Sequence, residues 1–227
     1  PSAPFLSAAN SANRCAGLYA KGLLPATATT LAQQADAALD KLHDYGWLPD
    51  SDVLHLSHYR FATNGIVMTY ANAAGRFSVA DNVCGFSFAN TNAATGDVIA
   101  QVPALQASIF ATGNGVPPAT GVNVVYNDSL GGAKQDLLAV SPSTGTTDFA
   151  LDGAICHRNL VEGRDILTGA PLTGAAKEAS DRVRAGIAEA NLTGRLKNTP
   201  AILVHGRADT LIPANHASRA YFLKNQA

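Results

Sequence analysis

The chain has 227 residues, 47% of them apolar and 15% charged, with a formal net charge of −1. That length can bury a core, either as one large domain or as a core carrying an insertion. The balance offers neither a basic face nor an acidic tail, so it excludes charge-driven binding to nucleic acid or an anionic membrane and points to a small or neutral substrate.

The N-terminal PSAPFLSAANSAN has neither an initiator Met nor the basic-then-apolar order of a signal peptide, which predicts a mature form or an excised fragment. Within TTLAQQADAALDKLHDYGW, Leu31, Ala35, Leu39 and Leu42 recur at spacings of three and four. That spacing predicts an amphipathic helix ending near Gly46. GIVMTYANAAGRF predicts a further helical turn or two, closed by Gly75. No apolar segment reaches the ~20 residues needed to cross a bilayer, so no membrane span is predicted.

Residues 86–148 are rich in Gly, Ser, Thr, Asn and Pro, with short apolar patches between them, of which VNVVY at 122–126 is a weak strand candidate. Loops of that length belong to a binding surface or a lid. We therefore expect residues 1–150 to form a helical, loop-rich insertion and residues 151–227 to belong to a core. FALDGAICHRNLVEG predicts a helix. AAKEASDRVRAGIAEANL predicts another, with Ala176, Ala179, Val183 and Ile187 on one face and a stop at Gly194.

The all-apolar AILV at 201–204 then reads as a buried parallel strand, with Pro213 opening the helix that follows. Helix, strand, loop, helix is the unit of a doubly wound α/β sheet. One strand does not make a sheet, so the remaining strands are expected elsewhere in a longer protein.

Three cysteines, Cys15, Cys84 and Cys156, form no CxxC pair. The pattern argues against a zinc knuckle or thioredoxin-like site and permits at most one internal disulfide; buried free thiols are the expectation. His55 and His58 in HLSHY, with Asp52 nearby, supply two imidazoles on one helical face but no third ligand at fixed spacing, so no metal is assigned. GNGV and SLGGAK lack the spacing of phosphate loops, and no cofactor is implied. The sequons at Asn127 and Asn191 matter only in a glycosylating secretory host.

In open α/β sheets, ligands bind beyond the carboxyl ends of the strands. Asp209 lies there, on the loop after 201–204. A carboxylate at that place can orient a histidine and stabilise the imidazolium formed when that histidine deprotonates a serine. It can equally act as a helix cap or turn former.

HGRADTLIP resembles the acid loop of α/β-hydrolases. PAILVHGRADTLIPANHASRAYFLKNQA, with DGAICHRNLVEG and SVADNVCGFSFA, is similar to the D-3-hydroxybutyrate oligomer hydrolases, which cut the short esters left when polyhydroxybutyrate is degraded. The resemblance implies part of an α/β-hydrolase sheet with a large helical lid, and Asp209 as the acid of a Ser-His-Asp triad. It implies an ester substrate of hydroxybutyrate units and, as partner, the remainder of a longer hydrolase, located outside the cytoplasm in the medium or periplasm, with the cytoplasm as the alternative.

The nucleophile of such an enzyme needs a strand-to-helix elbow of the G-x-S-x-G type, and none occurs here. CGFSFA around Ser87 lacks the second glycine and follows no apolar strand. The base should follow Asp209 after a further strand; His216 is only seven residues on and reads as a surface or packing residue, and His205 as a shaper of the acid loop. Trp47, Tyr59, Phe61, Phe86 and Phe88 are candidates to line an ester cleft, or to pack the insertion's own core. A non-catalytic helical module docking on a polymer or protein surface is the competing reading.

Overall fold

The computed structural model describes residues 7–100, 102–104 and 122–226, apart from the side chains of Phe61 and Val79. Helix α1 (Ala8–Ala20) starts at Ser7, whose hydroxyl accepts from Asn10 N. Helix α2 (Leu31–Asp44) starts at Thr30 in a reciprocal capping box with Gln33. This arrangement satisfies two of the amide donors that a helix start leaves open.

Helix α2 lies where its periodicity predicts, yet the expected apolar stripe is not buried: Leu31, Ala35 and Leu39 are exposed, whereas Gln34 is buried. The caps and propensity hold this helix, and no other described element covers its stripe. Helix α3 (Asp52–His58) continues through a π-helical turn, Tyr59–Thr63, into α4 (Asn64–Gly75). Arg76 follows in the left-handed region and ends it.

A small sheet occupies the middle of the chain. Strands β1 (Phe86–Thr91), β2 (Val98–Ile99), β3 (Val122–Tyr126) and β4 (Lys134–Gln135) are ordered β2-β1-β3-β4, every pair antiparallel. Phe86 faces Tyr126 across the β1–β3 ladder, with ring centroids 5.2 Å apart. Such cross-strand aromatic pairs are what fix register in a short sheet. Met68, Phe86, Tyr126, Ala139 and Ala150 form the core cluster, and Phe88, Val124 and Cys84 pack against it.

Helices α5 (Leu151–Glu162) and α6 (Gly174–Ala190) fall where they are expected. Phe149 and Ala150, just before α5, both hold left-handed φ values near 60° and 53°. Asp148, fully buried, sets this turn: its carboxylate accepts from Ser141 Oγ at 2.6 Å, Thr144 Oγ1 at 2.6 Å and Leu151 N at 3.1 Å. Non-glycine residues persist in that conformation only when the surroundings over-determine them.

Of the predicted face of α6, Val183 is buried while Ile187 is 46% exposed, and Ser180 is buried with its hydroxyl donating to Leu160 O. Gly186 lets α6 approach α4 closely: a Cβ there would stand 2.0 Å from Ala74 O. No helix among the described residues is long and apolar enough to cross a membrane.

One expectation is corrected. Cys84 and Cys156 are joined in a disulfide that ties the turn before β1 to α5, leaving Cys15 as the free thiol; the 72 residues that separate the two cysteines hide a proximity only the fold creates. Residues 201–204 belong to no sheet among the described residues, and Ile202 and Val204 are each 92% exposed. A strand needs a neighbour to receive its backbone bonds, and no described strand lies beside this one. After the loop that carries Asp209, a turn at Ala214–His216 leads into α7 (Ser218–Lys224), so the helical ending predicted after Pro213 is present but short.

His157 on α5 is buried with its ring stacked on Phe86 at 5.2 Å, and its Nε2 has no hydrogen-bond partner. Burial pushes its pKa down from 6.5 to about 4. Between those values the unfolded chain binds the extra proton, so this contribution is present above pH 6.5 and is lost as pH falls toward about 4. The unfolding free energy of the native protein relative to His157→Phe should therefore shrink by up to about 3 kcal/mol between pH ~7 and pH ~4. A difference that stays constant across that range, measured by denaturant titration, would show that His157 is not held neutral by its burial.

Candidate active site

The loop after 201–204 is shaped by Asp209 itself. Gly206 O accepts from Asp209 N at 3.2 Å, closing a turn. Asp209 Oδ1 then accepts from Leu211 N at 3.0 Å and Ile212 N at 2.9 Å. An aspartate bonding amides two and three residues ahead is the standard way such a loop fixes its own backbone.

This leaves Oδ2, which faces His205 Nε2 at 3.6 Å on a side chain that is 38% exposed. The Ile212 amide, followed by the Leu211 amide and the His205 charge, holds the carboxyl below its ordinary pKa. The group is thus an ionised acceptor with one oxygen tied down by two amides and the other bound only by the longer contact to His205.

His205 closes the loop on itself. Its Nε2 lies 2.8 Å from Ile212 O, and since a carbonyl can only accept, that nitrogen carries the proton. His205 and Asp209 together hold the loop's two ends, as expected of a loop-shaping histidine.

His216 stacks on Trp47, with centroids 4.6 Å apart and planes 15° from parallel. Its Nε2 is buried without a partner, and burial, then the neighbouring His58, lower its pKa. Ser87 lies on β1, where its hydroxyl pairs with the Asn127 side chain at 2.9 and 3.2 Å. Among the described residues, Asp209 meets neither an activated serine nor a free base.

The aromatic candidates divide into two groups. Phe86 and Phe88 sit with the core cluster. Trp47 lies 5.7 Å from His55 and 5.2 Å from His58, near the Asp209 loop, whereas Tyr59 lies 6.5 Å from His55 and 5.7 Å from Phe149. The Tyr59 hydroxyl is buried without a partner, and burial raises its pKa. The side chain of Phe61 lies outside the described residues.

What sequence reasoning missed is the company Trp47 keeps. Asp52 Oδ1 accepts from Trp47 Nε1 at 3.0 Å and lies 3.0 Å from His43 Nε2. HLSHY carried the signal in its two histidines, to which the sequence assigned no metal and no other role. No group of three or more His, Cys, Asp or Glu residues poised to hold a metal ion occurs among the described residues. His58 instead reaches the Asp209 loop, with Nδ1 2.8 Å from Thr210 O.

A family model described as 3HB-oligomer hydrolase matches residues 2–227. The D-(-)-3-hydroxybutyrate oligomer hydrolase of Azoarcus sp. (strain BH72) is 45% identical over 221 residues, which is 97% of this chain and 30% of that protein. The protein of the same name from Albidiferax ferrireducens is 44% identical over 225 residues, 97% of this chain and 30% of its own length. One from Ralstonia pickettii is 43% identical over 211 residues, covering 92% and 26% respectively. The chain thus spans less than a third of these relatives' length. No solved structure matches it significantly.

Proposed function

The chain belongs to the 3HB-oligomer hydrolase family, and from that membership we propose that it forms part of a longer carboxylic ester hydrolase that cleaves D-3-hydroxybutyrate dimers and oligomers. The observation that carries the reading is the Asp209 carboxylate, with one oxygen fixed by two backbone amides and the other, 3.6 Å from His205, 38% exposed with its side chain. In this reading a serine and a histidine from the rest of the protein complete a triad with Asp209.

The serine oxygen adds to the ester carbonyl as the histidine takes its proton. The ester C–O bond then breaks, and the leaving hydroxyl group receives that proton. Water, deprotonated by the same histidine, adds to the acyl-enzyme, and the free acid departs as the serine regains its proton. Asp209 accepts the N–H of the histidine throughout and offsets the charge that appears on the ring.

The same reading makes 201–204 a strand of an α/β-hydrolase sheet whose neighbours come from the rest of the protein. The 92% exposure of Ile202 and Val204 supports it, because an apolar run with open backbone groups gains most from a sheet edge. Residues 1–150 take the place of a lid, with the exposed stripe of α2 as a face for further chain or substrate. The Cys84–Cys156 disulfide supports a location in the medium or periplasm, since such bonds persist in oxidising compartments. Release of 3-hydroxybutyrate monomer from a dimer or trimer by the full-length protein tests the proposal. Retention of intact oligomer by a protein that binds it would instead favour a docking module.

A further inference from the structure

Resting on the reading of Asp209 as the triad acid, we propose that His58 is a positioning residue that sets where the acid loop stands, and that Trp47 and Asp52 brace it for that task. The loop's own bonds fix its shape. Asp209 with Leu211 and Ile212, and His205 with Ile212, all lie inside residues 205–212. A loop tied only to itself keeps its form while moving as a body, and Leu211 and Ile212 are 50% and 57% exposed.

The helical half supplies the fixed reference. His58, the last residue of α3, lies with Nδ1 2.8 Å from Thr210 O, one residue past Asp209. Because the carbonyl can only accept, Nδ1 carries the proton, and the ring is fixed in tautomer as well as direction. The Trp47 ring stands 5.2 Å from the His58 ring, and Trp47 is itself pinned by its indole N–H on Asp52.

The far end of the loop is held to the same segment. His216 stacks on the Trp47 ring, Asn215 Nδ2 donates to Asp50 Oδ1 at 2.7 Å and Ser51 Oγ at 3.0 Å, and Arg219 pairs with Asp50 at 3.3 Å. Residues 47–58 therefore hold the acid loop at its centre and at its exit. A carboxylate that must orient a base tolerates little displacement; a misplacement near 1 Å can cost on the order of 100-fold in rate.

The test compares four variants of the full-length protein on a 3-hydroxybutyrate trimer: His58→Ala, His58→Asn, His58→Gln and Asp209→Asn, each with kcat, KM and a thermal midpoint. His58→Ala is expected to lower kcat about 10- to 100-fold with KM within about twofold, as displacement of a group acting in the transition state requires. Asn places an N–H donor near the Nδ1 position and should restore most of kcat, whereas Gln, whose amide reaches further, should not. Wild-type kcat in His58→Ala beside a crippled Asp209→Asn overturns the positioning role and leaves the triad reading intact. Equal losses in all three His58 variants that track their thermal midpoints also overturn it, marking His58 as packing. Wild-type kcat in Asp209→Asn overturns the underlying reading instead.

Discussion

Replacing Asp209 by Asn in the full-length protein is expected to lower kcat on hydroxybutyrate oligomers by about 10⁴-fold, with KM little changed. The loop explains why so conservative a change should cost so much. Oδ1 must accept from both Leu211 N and Ile212 N, so the amide oxygen of Asn takes that place and its NH₂ takes the place of Oδ2. The open position then donates where it has to accept. A histidine base facing it is held in the wrong tautomer, and the imidazolium loses its counter-charge. The loop's bonds survive the substitution, so the thermal midpoint should stay close to wild type, which separates a chemical defect from an unfolded one. Near-wild-type turnover would show that Asp209 serves the turn alone.

Loss of the Cys84–Cys156 bond should be the largest change in stability. The bond closes a loop with a sequence separation of 72 residues that contains the whole sheet, from β1 to β4, and the start of α5. In the chain-entropy view, closing a loop of that length removes about 4 kcal/mol of freedom from the unfolded chain, a large share of the roughly 5–15 kcal/mol by which domains are stable. The bond also pins Cys84 at φ 54°, beside Asn82 at φ 45°, in a turn that a non-glycine chain does not favour by itself. A Cys84→Ser, Cys156→Ser double variant should unfold at clearly lower denaturant, and reductant should shift the native protein to the same midpoint while leaving the variant unmoved. Coincident midpoints for native protein and variant would mean that the core around Met68, Phe86 and Tyr126 holds this region without the bond.

The parts of the fold that were legible in the sequence are those whose cause is local. Thr30 with Gln33 and the spacing of Leu31 to Leu42 mark α2, and Gly75 and Gly163 stand where α4 and α5 end. The burial of those faces was not legible, because whether Leu31 and Leu39 are covered depends on other elements and not on the helix that carries them, and both are exposed among the described residues. Strand β1 hid in a polar, loop-like stretch, since FSFANT is made a strand by its partner VNVVY some 35 residues away rather than by its own composition. AILV is the opposite case: its composition is that of a buried strand, and the described residues hold no neighbour for it.

The candidate site divides along the same line. Asp209 was visible because its meaning lies in the adjacent residues, the turn at Gly206 and the amides of Leu211 and Ile212. The contact from His58 to Thr210 spans 152 positions, and the stack of Trp47 on His216 joins the same distant segments. No spacing rule reaches that far.

The most direct measurement of the central claim is the release of 3-hydroxybutyrate by the full-length protein, native and Asp209→Asn, with and without a serine-reactive organophosphonate. The account predicts monomer release by the native protein, loss of that release with stoichiometric covalent labelling by the phosphonate, and both labelling and release slowed by orders of magnitude in Asp209→Asn. Monomer release that is indifferent to the phosphonate and to Asp209→Asn would contradict it.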